Sequence, residues 1–266
     1  MILAIDVGNS NIVLGCIDGE KLYFTARVAT NRSKTSDEYA VIIKSMLELN
    51  GMQLSNIEGG IISSVVPAVT VALKGALRLL LGKEPMVVGA GIKTGLNILI
   101  DNPGQLGSDL VVDAVAALAE YPRPILIFDL GTATTLSVVD DKGSYLGGMI
   151  IPGVTVSLEA LSSGTSQLPH ISLEDPKRVV GTNTVDCMKS GIIYGNAAML
   201  DGIVDRVEQE LGQKATTVAT GGLARVIVPY CQRNIICDDN LMLKGLRIIY
   251  QKNKDTWRDS KGSRCR

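Results

Sequence analysis

The chain has a single histidine, five cysteines without a C-x-x-C pair, no apolar run long enough to cross a bilayer, and almost no net charge. A lone histidine cannot build a metal cluster and leaves no Ser/His/Asp set to place. His170, directly after Pro169, reads as a loop residue. Cys16, Cys187, Cys231, Cys237 and Cys265 are odd in number and far apart, which argues against a disulfide framework and a zinc site and fits a reducing cytoplasm. The start Met1-Ile2-Leu3-Ala4-Ile5-Asp6 lacks the basic region and long apolar core of a signal peptide, so a cytoplasmic location is the default and no membrane partner is expected. A net charge of −1 provides no field for nucleic acid. Gly89-Ala90-Gly91-Ile92-Lys93-Thr94 has neither the G-x-x-x-x-G-K-[ST] nor the G-x-G-x-x-G spacing, which sets aside P-loop and Rossmann readings.

What is present is a repeat. Ile5-Asp6-Val7-Gly8-Asn9-Ser10-Asn11 recurs as Phe128-Asp129-Leu130-Gly131-Thr132-Ala133-Thr134, each copy following one short apolar run and leading into another. That is a strand, a tight turn and a second strand. The glycine lets a backbone or a phosphate approach closely. Asn9, Ser10, Asn11, Thr132 and Thr134 offer amide or hydroxyl donors. Successive backbone N–H groups in such a turn can converge on an anion, and the preceding Asp suits a hard cation that takes oxygen ligands. A single copy reads equally well as an Asx-stabilised hairpin. Two copies at matching places point to a duplicated phosphate clamp, and a nucleotide held there depends on turns and metal because the chain has no field of its own.

With 266 residues, 46% apolar and 20% charged, the chain can fill two ordinary domains with ample cores. Strands are expected at 1–7, 11–18 and 21–28, a helix at 37–49, a strand at 60–65, a helix from Pro67 to near Gly82 and a strand at 85–88. A helix over 109–119 follows. The second half repeats the plan with strands at 125–129, 134–140 and 145–151, a helix at 154–161, a long helix at 184–211, a strand at 215–219 and a helix from Leu223. Gly191, Gly195 and Gly202 in the long helix suit close packing or an interface. A helix over 241–250 closes the fold, and the polar, basic segment 252–266 reads as a disordered tail. The domains are thus 1–120, 121–251 and the tail.

Two βββαβα halves, each with a phosphate turn, resemble the actin, sugar kinase and heat-shock ATPase fold. This is an α/β, ribonuclease H-like architecture of two similar lobes with an ATP cleft between them. Within that superfamily residues 1 to about 250 resemble the type III pantothenate kinases. The resemblance rests on Asp6 to Asn11, Arg32-Ser33-Lys34-Thr35-Ser36-Asp37-Glu38 and Ser63-Ser64-Val65-Val66-Pro67. It continues in Asp101-Asn102-Pro103 with Gly107-Ser108-Asp109, in Asp129 to Thr135, in Gly147-Gly148 with Ile151-Pro152-Gly153, and in Thr220-Gly221-Gly222.

The resemblance implies ATP-dependent phosphorylation of pantothenate to 4'-phosphopantothenate, the first step of coenzyme A biosynthesis, with Mg²⁺ accompanying ATP. It assigns Asp6, Val7, Gly8, Asn9, Ser10, Asn11, Ile12 and Val13 to the first phosphate turn, with Asp6 near the magnesium, and gives Thr132 a contact to ATP. Asp129 becomes the ligand of an activating monovalent cation, K⁺ or NH₄⁺, and Thr220 to Gly222 the rest for the adenosine end. Asp109 matches the general base. On the residue alone, a helix-cap role remains open beside it. Asp113, one turn on, reads as solvated. Gly107, Ser108, Asp109 and Leu110 are the pantothenate segment, with Thr184 reaching the substrate at a homodimer interface.

Two positions depart from the family. Leu110 stands where Gly-Ala-Asp-Arg has its arginine, and Ile100 where relatives carry a tyrosine. Loss of a charge-assisted contact of that kind costs about 1.5–3 kcal/mol unless Arg32, Lys34, Arg178 or Lys189 replaces it. Two other readings therefore stay open: a non-catalytic ATP-binding homologue acting as a regulator, and a kinase for another small hydroxy compound.

Overall fold

A computed structural model describes residues 1–262, with side chains described through residue 256. In chain order its main elements are β1 (Ile2–Val7), β2 (Asn11–Asp18), β3 (Lys21–Ala29), α1 (Ser36–Leu49), β4 (Gly59–Ser64), α2 (Pro67–Leu81), β5 (Met86–Val87), β6 (Asn97–Ile98) and α3 (Ser108–Glu120). They continue with β7 (Ile125–Leu130), β8 (Ala133–Val139), β9 (Ser144–Pro152), α4 (Val154–Ser163), α5 (Thr184–Leu211), β10 (Thr216–Thr220), α6 (Ala224–Ile227), β11 (Ile235–Cys237) and α7 (Leu241–Gly262). The chain divides into two compact units. One holds Met1–Leu96, Asn102–Ala116 and the segment from Leu241, and the other holds Asn97–Asp101 and Ala117–Asn240.

The first unit has a five-stranded sheet in the order β3-β2-β1-β4-β5. β1 sits between an antiparallel partner, β2, and a parallel one, β4, and helices packed on the sheet leave its side chains covered on both faces, all but Asp6 being buried. Helices α1 and α2 close one face through Tyr39, Ile43, Leu47, Leu73 and Leu77. Burying each such side chain contributes roughly 1.5–3 kcal/mol. A capping box starts α1: the Thr35 hydroxyl accepts from the Glu38 N–H, and Glu38 accepts from the Thr35 N–H at 2.8 Å. The bond from the Thr35 backbone, then that from its hydroxyl, holds the Glu38 carboxyl below the usual range. Pro67 opens α2, and Gly82, at φ +64°, ends it.

The second unit repeats this plan. Its six strands run β11-β10-β7-β8-β9-β6, which is the first order with β6 added beyond the meander. β7 lies between antiparallel β8 and parallel β10 as β1 lies between β2 and β4. Helices α4 and α5 bury Leu158, Ile193, Leu200 and Val204 against Phe128 and Leu136. The expected duplication is therefore present as sheet topology.

The structure departs from expectation in the boundaries. Helix α7 follows the second unit in sequence but belongs to the first, with Leu243, Leu246, Ile249 and Tyr250 buried. Room for it comes from glycines: a Cβ on Gly15 would lie 2.6 Å from Leu243 Cδ1, and one on Gly59 would collide with the Tyr250 hydroxyl. Nor does order end at residue 251. Asn253 is 4% exposed, accepts from the Lys93 N–H at 2.9 Å and donates to the Lys93 carbonyl at 2.8 Å, and Lys252 Nζ reaches the Thr94 carbonyl at 2.9 Å. The expected disordered tail is thus helical to Gly262, because its first residues tie down the loop around Lys93; the remaining four positions lie outside the described residues. Strands β6 and β11, of two and three residues, were absent from the sequence reading.

Candidate active site

The first turn closes where Val7 pairs with Ile12, leaving the four residues Gly8 to Asn11. The Gly8 N–H donates to the Asn11 carbonyl at 2.9 Å, the Thr30 hydroxyl donates to the Gly8 carbonyl at 2.7 Å, and the Thr30 N–H donates to the Ser10 carbonyl at 3.0 Å. Thr30 therefore staples the turn's carbonyls inward and leaves Asn9, Ser10 and Asn11 exposed. Val7 and Ile12 are buried at 1% and 0%, so from the expected ATP segment they offer backbone alone, while Val13 is half-buried.

The end of β1 is joined to the start of α3. Asp6 is the register partner of Ser63 on β4, so the two side chains share a face. The Ser63 hydroxyl lies 3.1 Å from the Ser108 hydroxyl, and the Ser64 N–H donates to Ser108 Oγ at 3.3 Å. The segment expected to hold the acceptor thus sits beside the strand carrying Asp6. Ser108 spends its hydroxyl on this tether. Asp109 is not the helix cap: the Val111 N–H bonds to the Gly107 carbonyl, which puts Gly107 in that position. Asp109 Oδ1 accepts from the Leu110 N–H at 2.9 Å, and the carboxylate leans over Gly107, where a Cβ would strike it. Asp109 and Leu110 are half-buried, whereas Asp113 is only 2% exposed, which corrects its reading as a solvated residue. It lies on the α3 face that carries Val112 and Ala116 into the unit.

In the second unit Asp129 is flanked by Thr135 on β8 and Thr220 on β10 in register. One glycine crowds the carboxylate and a second lies in ordinary contact with it. Gly221 has φ +90°, and a Cβ there would strike Asp129 Oδ1 and lie 2.6 Å from the Leu130 nitrogen; one on Gly131 would lie 3.7 Å from Asp129 Oδ1. A Cβ on Gly153 would meet the carbonyls of Gly131 and Thr132. Three separate sequence motifs therefore converge on this turn. It is one residue tighter than the first, since Leu130 pairs with Thr134 and leaves only Gly131 to Ala133. Thr132 stays exposed, but Thr134 is carried into the strand and buried at 1%, so it is not a donor to an anion as its alignment with Asn11 suggested. The hydroxyl of Thr135 is buried without a hydrogen-bond partner.

Thr184 stands elsewhere in the second unit, opening α5 after its cap Asn183, which accepts from the Asp186 N–H at 2.9 Å. It lines a largely apolar cavity of about 740 Å³ with Leu161, Leu168, Cys187, Met188 and Ile192. Gly191 and Gly195 meet nothing within 4 Å, so close packing within the chain is not their role. Of the substitute cations, Lys189 is paired with Glu174 at 2.7 Å and Arg178 donates to the Thr182 hydroxyl at 2.7 Å. Burial pushes the Cys231 thiol up to about 12, with Asp201 adding to the shift, so that cysteine is no nucleophile. Among the described residues no group of three or more His, Cys, Asp or Glu could hold a metal ion. Ser63 and Thr135 are site neighbours to which the sequence assigns no role, and Thr220, expected at the adenosine end, stands in register with Asp129. The end of the apolar run 61–62 is the signal for Ser63.

These features define an actin-like, sugar-kinase-type ATPase fold. Solved structures with this fold include component A of (R)-2-hydroxyglutaryl-CoA dehydratase from Acidaminococcus fermentans, at a TM-score of 0.58 and 17% identity, covering 96% of this chain and 98% of that one. The activator of 2-hydroxyisocaproyl-CoA dehydratase from Clostridium difficile, with bound ADPNP, aligns at 0.55 and 12% identity over 98% and 97% of the two chains. The type III pantothenate kinase family model matches residues 2–206. Type III pantothenate kinases from an Exiguobacterium species and from Halalkalibacterium halodurans are each 46% identical, over 96% and 95% of this chain and all of theirs. The chain belongs to the type III pantothenate kinase family.

Gly221→Ala is expected to cost about 2 kcal/mol or more, because strain at positive φ adds to a collision with Asp129 and Leu130. Gly212→Ala, at φ +69° with open space around it, is expected to cost about 1 kcal/mol. Urea unfolding of both variants checks the order, and equal losses would mean that the Gly221 contact with Asp129 contributes nothing.

Proposed function

We propose that this chain transfers the γ-phosphoryl group of ATP to the primary hydroxyl of pantothenate, giving 4'-phosphopantothenate and ADP at the first step of coenzyme A biosynthesis. Near full-length likeness to type III pantothenate kinases supports the substrates. The observation that carries the mechanism is the line from Asp6 through Ser63 and Ser108 to Asp109, which holds the carboxylate of the phosphate turn and the helix that carries the base in one frame.

The acceptor hydroxyl oxygen forms a bond to the γ-phosphorus, the bond from that phosphorus to the β-phosphate oxygen breaks, and ADP leaves with its electron pair. The hydroxyl proton passes to the Asp109 carboxylate, one oxygen of which is already steadied by the Leu110 N–H. Exposed Asn9, Ser10 and Asn11 of the first turn and Thr132 of the second orient the phosphates. Asp6 is the carboxylate offered to Mg²⁺, which supplies charge neutralisation on phosphate oxygens when bound with ATP. Asp129 fits an activating K⁺ or NH₄⁺: the unpartnered Thr135 hydroxyl lies opposite it and the Gly221 backbone leans over it, a donor set suited to a hard cation.

Leu110 favours a second reading in part, a kinase for another small hydroxy compound, because no arginine occupies the position that would grip a carboxylate. A homodimer is supported by open space over α5 at Gly191 and Gly195 and by the exposed Leu161 and Val185. A light-scattering mass of one chain would remove the dimer. The cytoplasmic assignment rests on the sequence; among the described residues no helix is long and apolar enough to cross a membrane.

Coupled ADP release is the direct test. Turnover is expected with pantothenate and Mg²⁺, faster in K⁺ or NH₄⁺ than in Na⁺, and turnover only with a different alcohol establishes the second reading. Asp109→Asn is expected to lower kcat by about 10²–10⁴-fold while ATP affinity stays nearly unchanged; full turnover in that variant would confine Asp109 to the architecture of α3. Leu110→Arg is expected to lower the pantothenate KM by about tenfold, the worth of one charge-assisted contact. A raised KM would mean that the pocket is built around another anchor.

A further inference from the structure

The segment Arg32 to Glu38 is a family motif to which the mechanism above gives no task. The structure holds it against the first phosphate turn. Thr30, just ahead, makes both of its bonds to that turn, through Gly8 and Ser10. Asn31 is fixed from the other side: its carbonyl accepts from the Tyr39 hydroxyl at 2.8 Å, its N–H donates back to the same oxygen at 3.3 Å, and its side chain accepts from the Ser33 N–H at 2.9 Å. Tyr39 is itself 1% exposed in the core, and the Thr35–Glu38 capping box fixes the far end. Six residues of loop are thereby immobilised by the turn, the core and a helix start.

One long side chain in this rigid loop points back at the turn. Arg32 Nη2 donates to Asn9 Oδ1 at 3.2 Å. Among the described residues no carboxylate lies within ion-pair distance of Arg32, and its side chain is exposed, so most of its N–H donors face solvent next to Asn9. A guanidinium matches phosphate oxygens two at a time, and ordering its loop in advance removes much of the entropy cost of using it.

We propose that Arg32 contacts the terminal phosphate of the ATP held at the first turn, discriminating ATP from ADP and stabilising charge on the transferring phosphoryl group. This rests on the reading of that turn as an ATP site. The choice of phosphate over the pantothenate carboxylate follows from Asn9, which belongs to the phosphate turn and is the residue that Arg32 touches.

Calorimetric titration of wild type, Arg32→Ala and Arg32→Lys with Mg²⁺-ATP and Mg²⁺-ADP, without acceptor, tests this apart from the identity of the alcohol. Arg32→Ala is expected to weaken ATP by about tenfold or more, as one lost charge-assisted contact implies, with ADP changed far less. Arg32→Lys, a point charge without the fork, is expected to recover part of the ATP affinity. Steady-state kinetics is expected to show kcat falling in Arg32→Ala with the pantothenate KM little changed, and thermal unfolding to match wild type because the side chain is exposed. Equal weakening of ATP and ADP, or a rise confined to the pantothenate KM, overturns the inference while leaving the ATP site in place. No ATP binding by the wild-type chain overturns both.

Discussion

In each unit one central strand is hydrogen-bonded to two neighbours, antiparallel on one side and parallel on the other, and carries an aspartate as its penultimate residue. That pairing is the constraint on which the rest depends. A slip of one residue in β1 or β7 would exchange the faces of every side chain in a strand buried on both sides and break the packing of each, so the register is strongly specified. Because it is, Asp6 lies beside Ser63 and Asp129 beside Thr220 wherever the outer strands and helices move. The rigid part of the fold thereby sets the positions of the carboxylates, and the turns after them are free to differ.

They do differ in length and in the side chains they present. The four-residue turn in the first unit keeps Asn9, Ser10 and Asn11 in solvent. The three-residue turn in the second withdraws Thr134 into the core and brings the Thr135 hydroxyl opposite Asp129, where the first unit has Val13 opposite Asp6. One unit is richer in donors for an anion, the other in oxygens for a cation.

Much of this was legible in residues. The echo of Asp6 to Asn11 in Asp129 to Thr134 announced the duplication, and alternation with glycine and proline punctuation located β2 and α5 to the residue. What stayed hidden has physical causes. The missing residue in the second turn is set by the β7–β8 register, and local sequence similarity masks it. Strands β6 and β11 are too short to show alternation. Asp113 sits on an otherwise apolar helix face, where charge suggests solvent and position dictates burial. The Ser63–Ser108 bond spans 45 residues, and neither serine carries a mark of its partner. At the segment proposed for the acceptor, the resemblance implies an arginine where Leu110 stands, and the structure adds that Lys189 and Arg178 are engaged with Glu174 and Thr182.

Helix α7 makes the first unit discontinuous. Leu243, Leu246 and Ile249 complete a core begun by residues near the amino terminus, after the whole of β7 to β11 has been laid down. During synthesis the first sheet therefore emerges early and waits, with Gly15 and Gly59 as unfilled notches, until the last helix leaves the ribosome. The second unit, nearly contiguous in sequence, carries no such delay, and a premature stop before residue 241 would spare its chain while stripping the first unit of its cover.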